Sequence, residues 1–586
     1  MPENISLTIN GQQVAAKSGQ TILQICRDNS IDVPTLCYMS NLFPSGACRM
    51  CVVEVDGASG LVPSCAFPAA DGQVVHTHSQ RARQARKAIV ELLLANHPQE
   101  CLNCVRSGNC ELQKLAHDLG CREERYEGAK REHQIDASSV SLIRDPEKCI
   151  LCGRCVRVCE EVQGVSAIDF TKRGFQTVIM PAFDACLGDT SCVNCGQCIL
   201  VCPTGALREQ SSLKEVLDAM NDPEKVVIAQ VAPAIRATIG EEFGMPAGSR
   251  VTGKLAAALR RAGFDKVFDT DFAADLTIME EGSELVSRLT KGTGPMPMIT
   301  SCSPGWVKYI EHYYPELLDH LSTAKSPHMM LGTLLKTYYA EKMGIDPANM
   351  VVVSIMPCTA KKFEAQRPEM MDSGYQDVDY VLTTRETARL IKSSGITFEN
   401  LPSEDFDEAF GTGSGAAVIF GTTGGVMEAA LRTANFLLTM PTADVPDIVT
   451  PEMLGKVDFT PVRGLEGVKE ATVDLNGVVL KVAVAHGLLN AKIIVEQIAK
   501  GTCEYNFIEI MGCPGGCIGG GGSPMPTNTD IRKKRMAAIY NEDESLTLRA
   551  SHDNPIIKQI YAEFLGAPLS HKSHELLHTS YTKREI

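Results

Sequence analysis

Apolar and polar residues alternate through SLTINGQQVAA near the N-terminus, and again in CVVEVDG and GQVVHTH. Period-two alternation around Asn-Gly and Asp-Gly turns predicts short strands and hairpins, hence a small β-rich domain over residues 1–80. The stretch RARQARKAIVELLLANHP at 81–98 repeats its apolar positions at helical spacing and stops at Pro98. A compact cysteine-bearing segment runs on to 128, and after a polar link residues 140–210 hold two similar cysteine runs, an internal repeat. From about 223 to 586 the texture changes. KVVIAQVAP, VVVSIMP, AAVIFG and LKVAVAHG read as buried strands alternating with helical stretches, the pattern of an α/β domain with parallel strands.

At 586 residues the chain exceeds one hydrophobic core, so three to five domains are expected. Its formal net charge of -15 argues against nucleic-acid or anionic-membrane binding, both of which want a basic surface. The opening MPENISLTIN has neither a basic nor an apolar signal region, and no run is long enough to span a bilayer. A cytoplasmic location is therefore expected. In that reducing compartment, 23 cysteines in tight groups favour metal ligation over disulfides.

Cys37, Cys48, Cys51 and Cys65 form C-x10-C-x2-C-x13-C, four thiolates suited to a 2Fe-2S centre or to zinc. His97, Cys101, Cys104 and Cys110 form H-x3-C-x2-C-x5-C. His97 there is either a fourth ligand through a ring nitrogen, or a surface or core histidine beside a three-cysteine site. Cys149, Cys152, Cys155 and Cys159 give C-x2-C-x2-C-x3-C, repeated at Cys192, Cys195, Cys198 and Cys202. This doubled spacing is the two-cluster ferredoxin signature, in which the fourth cysteine of each run serves the other run's cluster. One cluster is expected to use 149, 152, 155 and 202, the other 192, 195, 198 and 159. Cys26, Cys121, Cys186 and Cys503 fit no group and are taken as non-ligands.

Further candidates lie in three separated loops: Cys302 in ITSCSPGW, Cys358 in SIMPCTAKKFE, and Cys513 and Cys517 in EIMGCPGGCIGGGG. Cys358 follows a strand-like run, where α/β proteins place active-site groups. The glycines around Cys513 and Cys517 let backbone approach a bulky ligand. GTTGGVMEAALR at 421–432 imitates a nucleotide-binding turn without the full glycine spacing and is read as backbone packing.

The three loops resemble the signature motifs of the FeFe hydrogenases, TSCCPxW, MPCxxKxxE and ExMxCxxGCxxGG. The second and third match in full at Met356 to Glu364 and Glu509 to Gly520. The first two cysteine groups resemble the 2Fe-2S domain and the His-ligated 4Fe-4S cluster shared by that family and the large iron–sulfur subunit of complex I. The resemblance implies a multidomain α+β and α/β chain: an N-terminal β-grasp 2Fe-2S ferredoxin-like domain (1–80), a small helical His/Cys 4Fe-4S domain (81–128), a two-cluster bacterial ferredoxin domain (140–210) and a large α/β hydrogenase domain (223–586).

The implied cofactors are one 2Fe-2S cluster, three accessory 4Fe-4S clusters (one His-ligated), and an H-cluster. The last joins a 4Fe-4S cubane to a di-iron unit carrying carbonyl, cyanide and dithiolate, bridged by Cys517. Lys361 is implied to hydrogen-bond a cyanide, and Met356 and Met511 to pack on the di-iron unit. Where the family has adjacent cysteines, this chain has Cys302 and Ser303. The usual first thiol relays protons and the second anchors the cubane, so Cys302 is expected with the cluster while its task, anchor or relay, stays open. Glu281, Glu284 and Arg288 fall on one helix face. Spacing alone allows a solvated charged face, whereas the resemblance implies a proton path through both glutamates and Ser322. The implied reaction is reversible hydrogen oxidation and proton reduction. Implied partners are flavin/NAD(P)-binding and small 2Fe-2S subunits, or ferredoxin for a stand-alone enzyme. The remaining alternatives are an electron-transfer subunit resembling that of complex I and a non-catalytic hydrogenase-like sensor or scaffold.

Overall fold

The computed structural model describes residues 4–123, 125–411, 413–439, 459–475 and 477–585. Residues 440–458, inside the stretch expected to form the hydrogenase domain, lie outside the described residues. One unit comprises Met1–Glu161, Ser166–Thr190 and Val201–Arg208; the other comprises Val162–Val165, Ser191–Leu200 and Glu209–Ile586. Residues 191–200, from the stretch expected as one ferredoxin domain over 140–210, thus count with the second unit.

In the first unit, β1 (Asn4–Ile9), β2 (Gln12–Lys17), β3 (Val52–Val55), β4 (Val62–Pro63) and β5 (Val74–His76) form a sheet in the order β2-β1-β5-β3-β4. The β1–β2 hairpin closes over Asn10 and Gly11, both at positive φ (51° and 84°), as a tight two-residue turn requires. Alternation then sends Leu7, Ile9 and Val14 into a core shared with Ile22, Leu23 and Ile25 of α1 (Ile22–Asp28), and Cys26 lies in that same core. Helix α2 (Gln80–Asn96) ends at His97, whose extended φ/ψ of -92° and 133° is what a following proline imposes.

The second unit is built on two four-stranded sheets. In the first, β6 (Val226–Val231), β7 (Lys266–Asp269), β9 (Met350–Met356) and β10 (Tyr380–Thr383) run parallel in the order β7-β6-β9-β10. In the second, β8 (Met298–Ile299), β11 (Val468–Leu475), β12 (Val478–His486) and β13 (Phe507–Met511) take the order β8-β13-β12-β11. Only β11 is antiparallel to its neighbour in that sheet. Helices α3 (Asp271–Lys291), α4 (Pro304–Tyr313), α5 (Gly425–Thr439) and α6 (His571–Leu577) complete the parts used below.

One expected strand is absent. AAVIFG folds as a helix, Gly415–Val418, continued as a tight turn to Gly421. Ser414 caps it, its side chain accepting from Ala417 N, and Ser414 is itself fixed by hydrogen bonds to buried Asp275. A short run buried on all sides carries no period to separate strand from helix, so the cap decides.

Candidate active site

Three loops leave the carboxyl ends of parallel strands: Cys302 follows β8, Cys358 follows β9, and Cys513 and Cys517 follow β13. Together they line a cavity of about 700 Å³, with Met356, Met511, Lys361 and Ser303 also in its wall. The loops are tied to one another by backbone. Ser303 Oγ accepts from Gly512 N at 3.1 Å, and Gly522 N donates to the Pro357 carbonyl at 2.8 Å. A Cβ on Gly520 would stand 2.3 Å from that same carbonyl. The glycine run therefore lets neighbouring loops close on each other, while Gly512, Gly516 and Gly520 also line the cavity.

Burial raises the thiol pKa of all four cysteines, to about 12 for Cys517. Their neighbours differ. After burial, Cys513 feels Cys358 and Cys517, and Cys517 feels Cys358. Cys302 feels Glu281 first, then Lys361 and Cys517. Such thiols stay protonated until a cation displaces the protons, the behaviour of a metal-accepting cage. Among the described residues, no three His, Cys, Asp or Glu side chains converge as ligands of a single ion do. Sulfurs spread around a roomy cavity fit a polynuclear iron–sulfur group instead.

Lys361 is buried. Its Nζ donates to Glu364 Oε2 at 2.6 Å and to the Cys302 carbonyl at 3.1 Å, while His328 Nε2 meets the same Glu364 oxygen at 2.7 Å. Against the upward push of burial, Lys361 and His328 hold the Glu364 carboxyl down to about 2. The sequence reading missed His328, which has no motif around it; Glu364 stood inside one, but its role as the counter-ion of Lys361 was not drawn.

Glu281, Glu284 and Arg288 are all buried on α3, so the face is not a solvated one. Burial, with Glu284 close by, pushes the Glu281 carboxyl up to about 8. Ser322 lies close enough to Glu281 to act on its carboxyl and donates to Glu284 Oε2 at 2.9 Å, and Arg288 holds Glu284 Oε1 at 2.6 Å. Cys302, Glu281, Ser322 and Glu284 are thus successive neighbours, with a hydrogen bond recorded between the last two. Trp306 is fully buried and stacks on Tyr309.

The first unit holds the two N-terminal cysteine groups, together with Cys149, Cys152, Cys155, Cys159 and Cys202. Cys37 lies beside Cys48, and Cys51 beside Cys65, each pair close enough to shift the partner's thiol pKa, and Cys37 also acts on Cys51 and Cys65. His97, Cys101, Cys104 and Cys110 line a cavity of about 320 Å³. The buried Nδ1 of His97 has no hydrogen-bond partner there, and burial lowers the ring's pKa to about 4. A Cβ on Gly205 would stand 2.6 Å from Cys104 Sγ. A neutral ring nitrogen left unpaired beside three thiols is the donor set an iron–sulfur cluster takes. Cys149, Cys152, Cys155 and Cys202 line a third cavity of about 440 Å³.

In the second unit, the segment carrying Cys192, Cys195 and Cys198 packs on the glycine loop. Gln197 Nε2 donates to the Gly519 carbonyl at 2.9 Å, and a Cβ on Gly521 would stand 2.3 Å from the Cys195 carbonyl. The nucleotide-like turn at 421–432 is occupied from within: Glu509 Oε1 and Oε2 accept from Gly424 N and Met427 N at 2.6 and 2.8 Å, where α5 begins. Of the cysteines read as non-ligands, Cys186 is exposed and Cys121 and Cys503 are part-buried.

A cavity lined by four cysteines, in a chain that carries further cysteine groups, defines an iron–sulfur redox protein, and comparison with known proteins fixes which. The chain belongs to the iron-only (FeFe) hydrogenase family: residues 225–521 match the iron only hydrogenase large subunit, C-terminal domain, and 529–584 the iron hydrogenase small subunit. Ahead of these lie matches to a 2Fe-2S iron-sulfur cluster binding domain (2–80), the NADH-ubiquinone oxidoreductase-G iron-sulfur binding region (86–125) and a 4Fe-4S dicluster domain (148–206).

Among individual proteins, it is 50% identical to the NADP-reducing hydrogenase subunit HndD of Solidesulfovibrio fructosivorans over 99% of each chain. It is 43% identical to iron hydrogenase 1 of Clostridium pasteurianum over 99% of this chain and 100% of that one. A structure of apo [FeFe]-hydrogenase HydA1 from Chlamydomonas reinhardtii superposes with a TM-score of 0.55 at 44% identity, covering 64% of this chain and all of that one. The protein is an FeFe hydrogenase, an oxidoreductase of hydrogen, with accessory iron–sulfur domains. No helix among the described residues is long and apolar enough to cross a membrane.

Proposed function

We propose that the chain is the catalytic subunit of a cytoplasmic NAD(P)-linked hydrogenase complex. Its pyridine nucleotide, flavin and a further small 2Fe-2S cluster would reside on partner polypeptides. In this reading residues 1–80 hold one 2Fe-2S cluster through Cys37, Cys48, Cys51 and Cys65, and 81–128 hold a 4Fe-4S cluster through His97, Cys101, Cys104 and Cys110. Residues 140–210 hold two more, one on Cys149, Cys152, Cys155 and Cys202, the other on Cys192, Cys195, Cys198 and Cys159. Residues 223–586 hold the H-cluster. The NADP-linked assignment leans on the full-length similarity to a subunit named as NADP-reducing.

The observation that carries the catalytic reading is the single cavity lined by sulfurs from three loops. Cys358, Cys513 and Cys517 share their surroundings and are the cluster's anchors in this proposal. Cys302 keeps company with Glu281, which favours the relay task over the anchoring one, and leaves Ser303 Oγ beside the cubane. When bound, the H-cluster supplies an open iron site at which hydrogen is split or formed. The protein's work is then positional. Met356 and Met511 exclude water from the cavity wall, and the buried Lys361 ammonium, steadied by Glu364, offers N–H groups to a cyanide. Glu281 is protonated near neutrality, so it can hand a proton to Cys302 and take one back through Ser322.

Maturation of the chain with its di-iron unit should produce infrared bands of bound carbon monoxide and cyanide, and Cys358→Ser should lose them. The complex isolated under native conditions should carry flavin and form NADPH under hydrogen. A flavin-free chain that reduces only ferredoxin would defeat the NADP-linked reading and favour the stand-alone enzyme.

A further inference from the structure

Glu284 is the outer carboxylate of the proposed proton path, and its two oxygens are held differently. Oε1 accepts from Arg288 Nη2 at 2.6 Å and Nε at 3.1 Å. The rest of that buried guanidinium donates to the carbonyls of Pro295 and Leu321 at 3.2 and 2.7 Å. A guanidinium does not give up its proton in a protein, so Arg288 closes this side of Glu284 to proton traffic.

Oε2 is open to relay. Ser322 Oγ reaches it at 2.9 Å from the inner side, and Thr323 N and Oγ1 reach it at 3.1 and 3.3 Å. Thr323 Oγ1 also meets His578 Nδ1 at 2.8 Å. The opposite ring nitrogen of His578 lies 3.0 Å from Glu280 Oε2. Glu280 precedes Glu281 on α3 but is held by a different set of groups, from the C-terminal segment: Tyr561 OH, Ser573 Oγ and Leu569 N all donate to it. These hydrogen bonds and that of His578 hold Glu280 below the ordinary carboxylate range in spite of its burial. His574, exposed on α6, packs its ring 4.3 Å from that of His578.

We infer that Thr323 and His578 form a proton-accepting branch attached to the hydrogenase path at Glu284. The inference rests on the reading of Glu281, Ser322 and Glu284 as that path. Hydrogen oxidation releases two protons per turnover into a single file of groups, and a site beyond Glu284 lets the second follow the first. The Glu284 carboxyl gives its proton to Thr323 Oγ1 as the threonine hydroxyl proton moves to His578 Nδ1. One O–H bond breaks at Glu284, one N–H bond forms at His578, and no electron moves. The product is an imidazolium flanked by carboxylates: Glu280 on Nε2, and Glu284 across Thr323. Its other titratable neighbours are His574 with His571 beyond it, and Tyr561 through Glu280, while Arg288 stands behind Glu284. The stored proton passes to water on the side where His574 is exposed, and hydrogen evolution runs the same steps inward. Glu280 is a positioning residue here, fixing the ring through Nε2.

The test uses the matured holoenzyme, with hydrogen oxidation followed by reduction of an artificial dye and the H-cluster followed by its infrared bands. Thr323→Val removes the relay hydroxyl at nearly constant volume. His578→Gln keeps a donor and an acceptor but cannot hold the proton. Both should keep the infrared bands, lose turnover roughly a hundredfold and lose the histidine limb of the pH profile, while Thr323→Ser restores both. Turnover within twofold of the parent in both variants, alongside a crippled Glu281→Gln, would overturn the branch and leave the path standing. An unimpaired Glu281→Gln would remove the path itself. Equal loss in Thr323→Val and Thr323→Ser would mark a structural role and also overturn the branch.

Discussion

Glu281 shows how one side chain takes its chemistry from its setting. Spacing on a helix identified it, but spacing does not reveal what covers the face, and only the fold closes water out around it. With its pKa raised to about 8, the carboxyl holds its proton near neutrality and can act as donor or acceptor beside Cys302. Glu281→Gln keeps the shape and removes the exchangeable proton. Turnover should fall by roughly a factor of 10² to 10⁴ with the infrared bands unchanged. The same shift has a consequence for stability. Between the ordinary carboxylate value of 4.5 and about 8, the folded chain keeps a proton that the unfolded chain releases. Folding then binds protons, so this group's contribution falls as pH rises through that window. In the cluster-free chain, calorimetric melting of Glu281→Gln should therefore lose less midpoint temperature than the parent over the same rise. A steeper fall in the variant would contradict the neutral carboxyl. The task of Cys302 was illegible for a related reason: the sequence shows one thiol where two are usual, and its company with Glu281 exists only in three dimensions.

At the scale of elements, the sequence was informative wherever a pattern has a physical period or a stiff residue. Asn10 and Gly11 announced a hairpin, Pro98 ended α2 and set the backbone of His97, and the continuous apolar runs at 226–231 and 350–356 became buried parallel strands. AAVIFG was equally apolar but formed a helix, because the cap at Ser414 depends on Asp275, far away in the chain. Tight loop-to-loop contacts were the other hidden layer. Nothing in the sequence around Gly205 announces that a Cβ there would stand 2.6 Å from Cys104 Sγ. Gly205→Ala must move that sulfur, so the His97 group should fail to hold its cluster and the reconstituted chain should lack about four iron atoms per molecule, with one cluster missing from the electron paramagnetic resonance spectrum. Gly60→Ala, with open space around its added methyl group, should keep full iron content. An iron-replete Gly205→Ala chain would show that the loop yields and that the contact does not shape the cradle.

Across the whole molecule, hydrogen chemistry and electron delivery are assigned to different residues, and the two can be separated by reactions of different electron demand. Exchange between hydrogen gas and deuterated water splits and re-forms hydrogen with no net electron flow. It needs the cavity of Cys358, Cys513 and Cys517 and the proton groups, but no conductor. In the complex proposed above, reduction of NADP⁺ draws on the conducting clusters, because each electron must leave before the next turnover completes. Cys51→Ser, which removes one of the paired sulfurs of the N-terminal group, should therefore lower NADP⁺ reduction by at least about tenfold while exchange stays within about twofold of the parent. Cys358→Ser, in the wall of the active-site cavity, should abolish both. Mass spectrometry of exchanged gas and absorbance of NADPH measure the two on one preparation. Parallel loss of both activities in Cys51→Ser would mean that the N-terminal group supports the fold of the enzyme, and the division of labour between wire and site would fall with it.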